Sequence, residues 1–453
     1  MASAAEQLAA NMNWNVLSKA TELKSRIWFT LFVLVIYRLG TWVPVPGIDS
    51  GVLAQVFQQH GSGILGNFDM FSGGALHRMS ILALGIMPYI SASIIMQLMG
   101  VASDTIAQLK KEGEAGRKKM NQYTRYLTVV LAAAQGYGIA VGLENMAAGS
   151  GVSPVLEPGL FFRGVTVVTL VGGTMFLMWL GEQITQRGIG NGISLIIFAG
   201  IVAGIPAALA HTLELGKTGA LPAFVIIGFL VMALVVIAGI VFVERAQRRV
   251  LIQYPKRQVS ATRMTGGDTQ HMPLKLNTSG VIPPIFASAL MGLPVTYAQM
   301  MGANTPEWLQ PILAMFSRGN PVYMVAFSTL IVFFAFFYTT VVFNPDDTAD
   351  NLKKGGGFIP GIRPGKNTAE YLRYLLNRLT FVGAVYLVLI TLLPELLMFK
   401  WGLPFYFGGT SLLIVVSVTM DTVTQVQSHL LAHQYEGLIK RSRLSRGGRR
   451  RGQ

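Results

Sequence analysis

The chain has 453 residues, of which 52% are hydrophobic and only 13% charged, and it carries a formal net charge of +15. Soluble globular domains carry about 25% charged residues, so this composition excludes an ordinary soluble enzyme and indicates a polytopic membrane protein. Cysteine is absent, which excludes disulfides, thiol nucleophiles and cysteine metal sites.

The first twenty residues hold no apolar core and no cleavage-like site. No signal peptide is expected to be removed, and residues 1–26 read as a cytoplasmic segment ahead of a first span that anchors itself. Ten spans are predicted, near residues 27–44, 79–99, 125–143, 160–181, 193–213, 221–243, 276–296, 321–343, 376–398 and 403–423. Between the first two lies NFDMFSGGALHRMS, broken by Gly73 and Gly74 and followed by the uncharged run ILALGIMPYISASIIMQL. The run is about the ~18 residues a bilayer requires, whereas the segment before it is too short to cross. It reads as a half-helix entering a spanning one. Backbone that leaves a helix inside hydrocarbon must be satisfied by protein or by water, so this arrangement predicts a cavity within the membrane. An ordinary extracellular loop, followed by a packed helix kinked at Pro88, is the plainer reading of the same residues.

Of the 36 Lys and Arg residues, only Arg38, Arg78, Arg163, Lys217, Arg318 and Lys400 fall on the outer face when the N-terminus is placed inside. The positive-inside rule therefore puts both termini in the cytoplasm. Ten spans divide into two fives, residues 27–213 and 221–426, joined by a periplasmic hinge at 214–220. An odd number per half inverts the second relative to the first. GIMPYI and GVIPPI echo one another across the halves, Gly85, Pro88 and Ile90 matching Gly280, Pro283 and Ile285.

Two cytoplasmic loops, 244–275 and 344–375, are basic and rich in turn formers; positive-inside anchoring accounts for their charge but not their length, which points to docking surfaces. The basic tail, 427–453, fits anionic lipid headgroups, ribosomal RNA or plain solvation equally well. LGKTG at 215–219 lacks the first glycine of a phosphate loop, its place taken by His211. His429 and His433 have helical metal-ligand spacing but no third ligand nearby, which fits an amphipathic tail helix. Glu182, Glu395 and Asp421 fall at span ends, where headgroup water solvates them; a proton relay is the alternative. No paired carboxylates or nucleophile triad lie at a membrane centre. Neither catalysis, a cofactor nor a metal is expected.

Nine stretches carry a resemblance to a known family: FDMFSGGAL at 68–76, ALGIMPYISASII at 83–95, KKEGEAGRKK at 110–119, QYTRY at 122–126, GTMFLMWLGEQIT at 173–185, RGIGNGIS at 187–194, NPDDTADNLKK at 344–354, PGIRPG at 360–365 and PFYFGGTSLLIVV at 404–416. Together they closely resemble the SecY family, channel subunits of the bacterial Sec protein translocase. The resemblance implies an all-α inner-membrane protein with ten transmembrane helices in two inverted five-helix halves around an hourglass pore. Unfolded secretory proteins would cross through the pore, and transmembrane segments would leave into lipid through a lateral gate. The implied plug is Asn67, Phe68, Asp69, Met70, Phe71, Ser72, Gly73, Gly74, Ala75 and Leu76. The pore ring would be Ile86, Ile90, Ile193, Ile197, Ile285 and Ile414, and the lateral gate would carry Gln97, Gln135 and Asn277 as a polar cluster. Arg363, with Arg248, Arg249, Lys256 and Arg257, would meet the SecA motor ATPase or the ribosome. Further implied partners are the SecE and SecG subunits, signal sequences and unfolded preproteins, a membrane insertase, accessory Sec subunits and anionic lipids. One departure stands out. Family members often carry glycine and paired arginines after the residues matching Lys256 and Arg257, whereas this chain reads VSATR with Arg263 alone, which loosens the expectation for that loop tip. A small-solute transporter is the rival class, but it would need a polar midplane site that the spans lack.

Overall fold

The computed structural model of the protein describes residues 21–49, 51–53, 72–150, 154–219, 222–255, 257–260, 263–265, 269–301, 311, 320–401 and 408–448. Helix α1 (Thr21–Gly40) is followed by α2 (Met87–Ala102), α3 (Asp104–Lys111), α4 (Glu114–Ser150), α5 (Leu160–Arg187) and α6 (Gly192–Lys217). The second half runs through α7 (Ala223–Arg245), strands β1 (Gln247–Gln253), β2 (Arg257–Ser260), β3 (Arg263–Thr265) and β4 (Thr269–Lys275), then α8 (Ile282–Met301), α9 (Pro321–Val342), α10 (Pro345–Lys354), α11 (Lys366–Trp401) and α12 (Gly409–Gly448).

Each predicted span overlaps a helix, and the differences lie at the ends. Among the described helices, seven are long and apolar enough to cross a membrane, while Met87–Ala102 and Ile282–Gly292 are shorter apolar helices. Helix α1 carries Glu22, Lys24, Arg26 and Arg38 within its 20 residues. Helices α4, α11 and α12 have 37, 36 and 40 residues, well beyond the ~20 that a bilayer requires. Their extra turns hold charged residues such as Lys118, Lys119 and Arg373, which hydropathy assigns to loops although the backbone stays helical. Asparagine fixes several starts: Asn191, Asn320 and Asn344 accept from the amides of Ile193, Val322 and Asp346, satisfying donors that a first turn leaves free.

Two bodies emerge from the packing. Helix α5 lies against α4, α6 and α1, with α2 on α4; helix α9 lies against α8 and α11, with α12 on α11 and α7. The bodies meet along two seams, one where α8 packs on α2 and α4, the other where α6 packs on α12 and α7. The sequence echo has a backbone counterpart. Gly85 and Gly280 adopt left-handed φ of 56° and 63°, each two residues ahead of a short seam helix, at Met87 and Ile282. A side chain there would strain the backbone.

The half-helix expected ahead of α2 is not what residues 72–86 form. They run as turns, because Gly73, Gly74 and Met79 take φ of 70°, 79° and 43°, values that no right-handed helix accommodates. The plug residues Asn67, Phe68, Asp69, Met70 and Phe71 lie outside the described residues.

The two long loops are joined. Strands β1 and β4 pair antiparallel from Gln247↔Lys275 to Gln253↔Thr269, and Gln253 exchanges backbone hydrogen bonds of 2.9 and 3.0 Å with Phe358. Beneath them Val250, Leu274, Ile359, Leu372 and Leu376 form a separate buried cluster.

Candidate functional site

Among the described residues the largest buried cluster spans both bodies, and five of the six isoleucines singled out from the sequence fall within it. Ile86, Ile90, Ile197, Ile285 and Ile414 are members, and Ile193 packs against it partly buried. They come from the turn before α2 and from α2, α6, α8 and α12. None of the five members is more than 9% exposed.

Above this cluster the described part of the predicted plug is held by α1. Ser72 is 3% exposed and Ala75 is fully buried. Tyr37 Oη donates to the Ser72 carbonyl at 3.1 Å, and Arg38 Nη1 donates to the Gly73 carbonyl at 2.6 Å. A Cβ on Gly73 would stand 3.0 Å from both Gly200 Cα and Tyr37 Oη. This segment is therefore wedged between α1 and α6. Sequence reading missed Tyr37 and Arg38, although an arginine near the end of an apolar span was the available signal.

The three gate residues do not form one hydrogen-bonded cluster. Gln97, on α2, donates to Ser93 Oγ at 3.2 Å, and its carbonyl oxygen is buried without a partner. Gln135 lies half-buried on α4. Asn277 precedes α8 and pairs with neither: its amide donates to Glu244 Oε1 at 2.8 Å and to the Gly280 carbonyl at 3.1 Å, and its oxygen accepts from Ser279 Oγ at 3.1 Å. The cause is positional, since β4 delivers Asn277 to the end of α7, five residues before the seam helix begins. Glu244 is a third residue that sequence reading did not single out.

At the basic end, Arg363 is exposed on the 355–365 loop, whose Gly361 and Gly365 take left-handed φ. Thr368 Oγ1 donates to the Arg363 carbonyl at 2.9 Å and ties the loop to α11. Arg248 and Arg249 are exposed on β1; Arg257 lies in β2, and Lys256 lies outside the described residues. Glu182 is paired with Arg125 of α4 at 2.6 Å, and Asp421 lies 3.7 Å from Lys275.

The SecY family model matches residues 80–423. A protein translocase subunit SecY of Rickettsia conorii is 54% identical over 423 residues, which is 93% of this chain and 97% of that protein. The Escherichia coli K12 protein of the same name is 52% identical over 429 residues, 94% and 96% of the two chains. Among solved structures, one described as a protein conducting channel has a TM-score of 0.64 at 18% identity, covering 89% of this chain and 92% of that one. The Sec61 chain of a canine ribosome-channel complex from the endoplasmic reticulum scores 0.60 at 18% identity with the same coverage. The chain belongs to the SecY family of protein translocase subunits.

Proposed function

We propose that this chain is the pore subunit of a bacterial inner-membrane translocase, with ten spans, both termini in the cytoplasm, and the isoleucine cluster as its constriction. The observation that carries the reading is the burial of Ile86, Ile90, Ile197, Ile285 and Ile414 in one apolar cluster shared by both bodies, beside two short helices each preceded by a left-handed glycine. Unfolded polypeptide presents every kind of side chain, so its conduit gains from flexible apolar walls and loses from specific polar contacts. Apolar walls also seal the resting state, because a narrow apolar constriction dewets.

Residues 67–76 act as the plug over this constriction. The seam between α8 and the α2/α4 pair is the lateral gate through which transmembrane segments leave, with Gln97 and Gln135 on its first-half side. The joined cytoplasmic loops present Arg363, Arg248, Arg249 and Arg257 to a motor ATPase of the SecA type or to a ribosome; a solved channel of this fold stands in a ribosome complex, which supports the second. SecE and SecG subunits complete the assembly.

The test is reconstitution. Vesicles holding the chain with its partner subunits should protect a secretory precursor from external protease when motor and ATP are added, and should leave unprotected a precursor stripped of its signal. Failure of the first, with gradient-driven uptake of a small solute instead, would favour the transporter class.

A further inference from the structure

Asn277 and Glu244 form a junction that the channel reading does not by itself explain. Both donors of the Asn277 amide are engaged, by Glu244 and Gly280, and its oxygen accepts from Ser279, so no donor is left for a partner across the gate. Asn277 is 2% exposed and Ser279 4%. The neighbouring backbone is tied as well: Leu276 N donates to the Ala246 carbonyl at 3.0 Å, continuing the β1–β4 ladder to the end of α7. On the far side Gly383 of α11 closes in, so tightly that a Cβ there would meet the Leu276 carbonyl at 3.1 Å. Gly280, at φ 63°, then turns the chain into α8. The turn is thus clamped on one side by a carboxylate, and the helix it launches carries Ile285 and forms one wall of a seam.

We propose that Glu244 is a positioning residue that holds the start of α8 against α7 and thereby sets how readily the α8 seam parts from α2 and α4. The proposal rests on the channel reading above. If α8 swings during opening, the short hydrogen bond from Asn277 to a carboxylate must lengthen or break, and it weights the balance toward the closed arrangement. If α7, the turn and α8 move as one body, the bond survives and Glu244 has no such role.

Three variants separate these outcomes in reconstituted vesicles offered two precursors that differ only in signal hydrophobicity. Glu244→Leu fills the space but accepts no hydrogen bond. Glu244→Asp keeps the charge and falls one methylene short. Glu244→Gln keeps an acceptor oxygen at the same reach. Losing a charge-assisted hydrogen bond shifts a two-state balance by about tenfold or more. Translocation of the weak-signal precursor relative to the strong one should therefore rise about tenfold in Glu244→Leu and Glu244→Asp, while Glu244→Gln, which keeps a neutral hydrogen bond about half as strong, falls between those variants and the parent. A parent-like ratio in Glu244→Leu and Glu244→Asp, or a Glu244→Gln shifted as far as Glu244→Leu, overturns the proposal. Should Glu244→Leu fail to insert, Glu244→Asp decides alone, since it alters neither charge nor hydrophobicity. A parent that translocates neither precursor would instead defeat the channel reading, and this proposal with it.

Discussion

Freeing the turn ahead of α2 should unseal the resting channel. Tyr37 and Arg38 hold it through the carbonyls of Ser72 and Gly73, at 3.1 and 2.6 Å. A neutral hydrogen bond contributes about 1 kcal/mol net and one from a charged donor about 1.5–3 kcal/mol. The two share one segment and are not strictly additive, so the pair Tyr37→Phe, Arg38→Leu should cost about 2–4 kcal/mol of holding energy. That multiplies the ratio of released to held segments by about 30 to 700. Gly73→Ala reaches the same end by another route. Its left-handed φ of 70° costs a side chain about 1–2 kcal/mol, and its new methyl would press on Gly200 Cα at 3.0 Å, backbone that cannot rotate aside. Vesicles carrying a pH gradient and a pH-sensitive dye, without substrate, report the leak. Both variants should discharge the gradient faster than the parent, with Arg38→Lys between. If both hold it as long as the parent does, residues 72–74 are a structural turn and the seal lies elsewhere.

Two further outcomes concern the basic end of the molecule, and a third its orientation. Arg363 offers a planar fork of donors that neither lysine nor a carboxylate reproduces, so Arg363→Glu should abolish motor-driven translocation while leaving the amount of inserted protein unchanged; transport at the parent rate would remove Arg363 from the docking surface. Leu372 is fully buried beneath the joined loops, and Leu372→Ala should cost about 2–5 kcal/mol, seen as faster proteolysis of the β1–β4 hairpin with the membrane part intact. A phosphatase reporter that works only outside should be active when fused near Gly149 and silent near Gly266, and the reverse pattern would invert the orientation.

What the sequence disclosed was whatever depends on neighbours along the chain. Hydropathy located the long apolar helices, and the glycines that echo one another at 85 and 280 prove to hold left-handed φ, which glycine adopts at least cost. Length and charge flagged the two loops, but nothing local announces that Gln253 pairs with Phe358, a contact 105 residues apart. Gly357, packed with its Cα side against Tyr254 and Ile252, reads in sequence as one more loop glycine. Hydropathy also ends α11 and α12 where polarity begins, although the helix needs only propensity and packing to continue. The gate shows the same limit most sharply. The family resemblance groups Asn277 with Gln97 and Gln135, yet the hairpin between α7 and α8 brings it beside Glu244, 33 positions away. Tyr37 and Arg38 were passed over for the same reason, their partners lying 35 residues on.

The central claim is that the buried isoleucines close a pore, and conductance tests it most directly. Serine is smaller than isoleucine and hydrogen-bonds water, so replacing Ile86, Ile90, Ile197 and Ile285 together should both widen the constriction and wet it. Single-channel recording of the substrate-free protein in planar bilayers should then show frequent ion-conducting openings where the parent is silent, with larger currents still when residues 67–76 are also deleted. A serine variant that inserts normally and stays as silent as the parent would mean that these isoleucines only pack helices together, and that polypeptide does not pass between them.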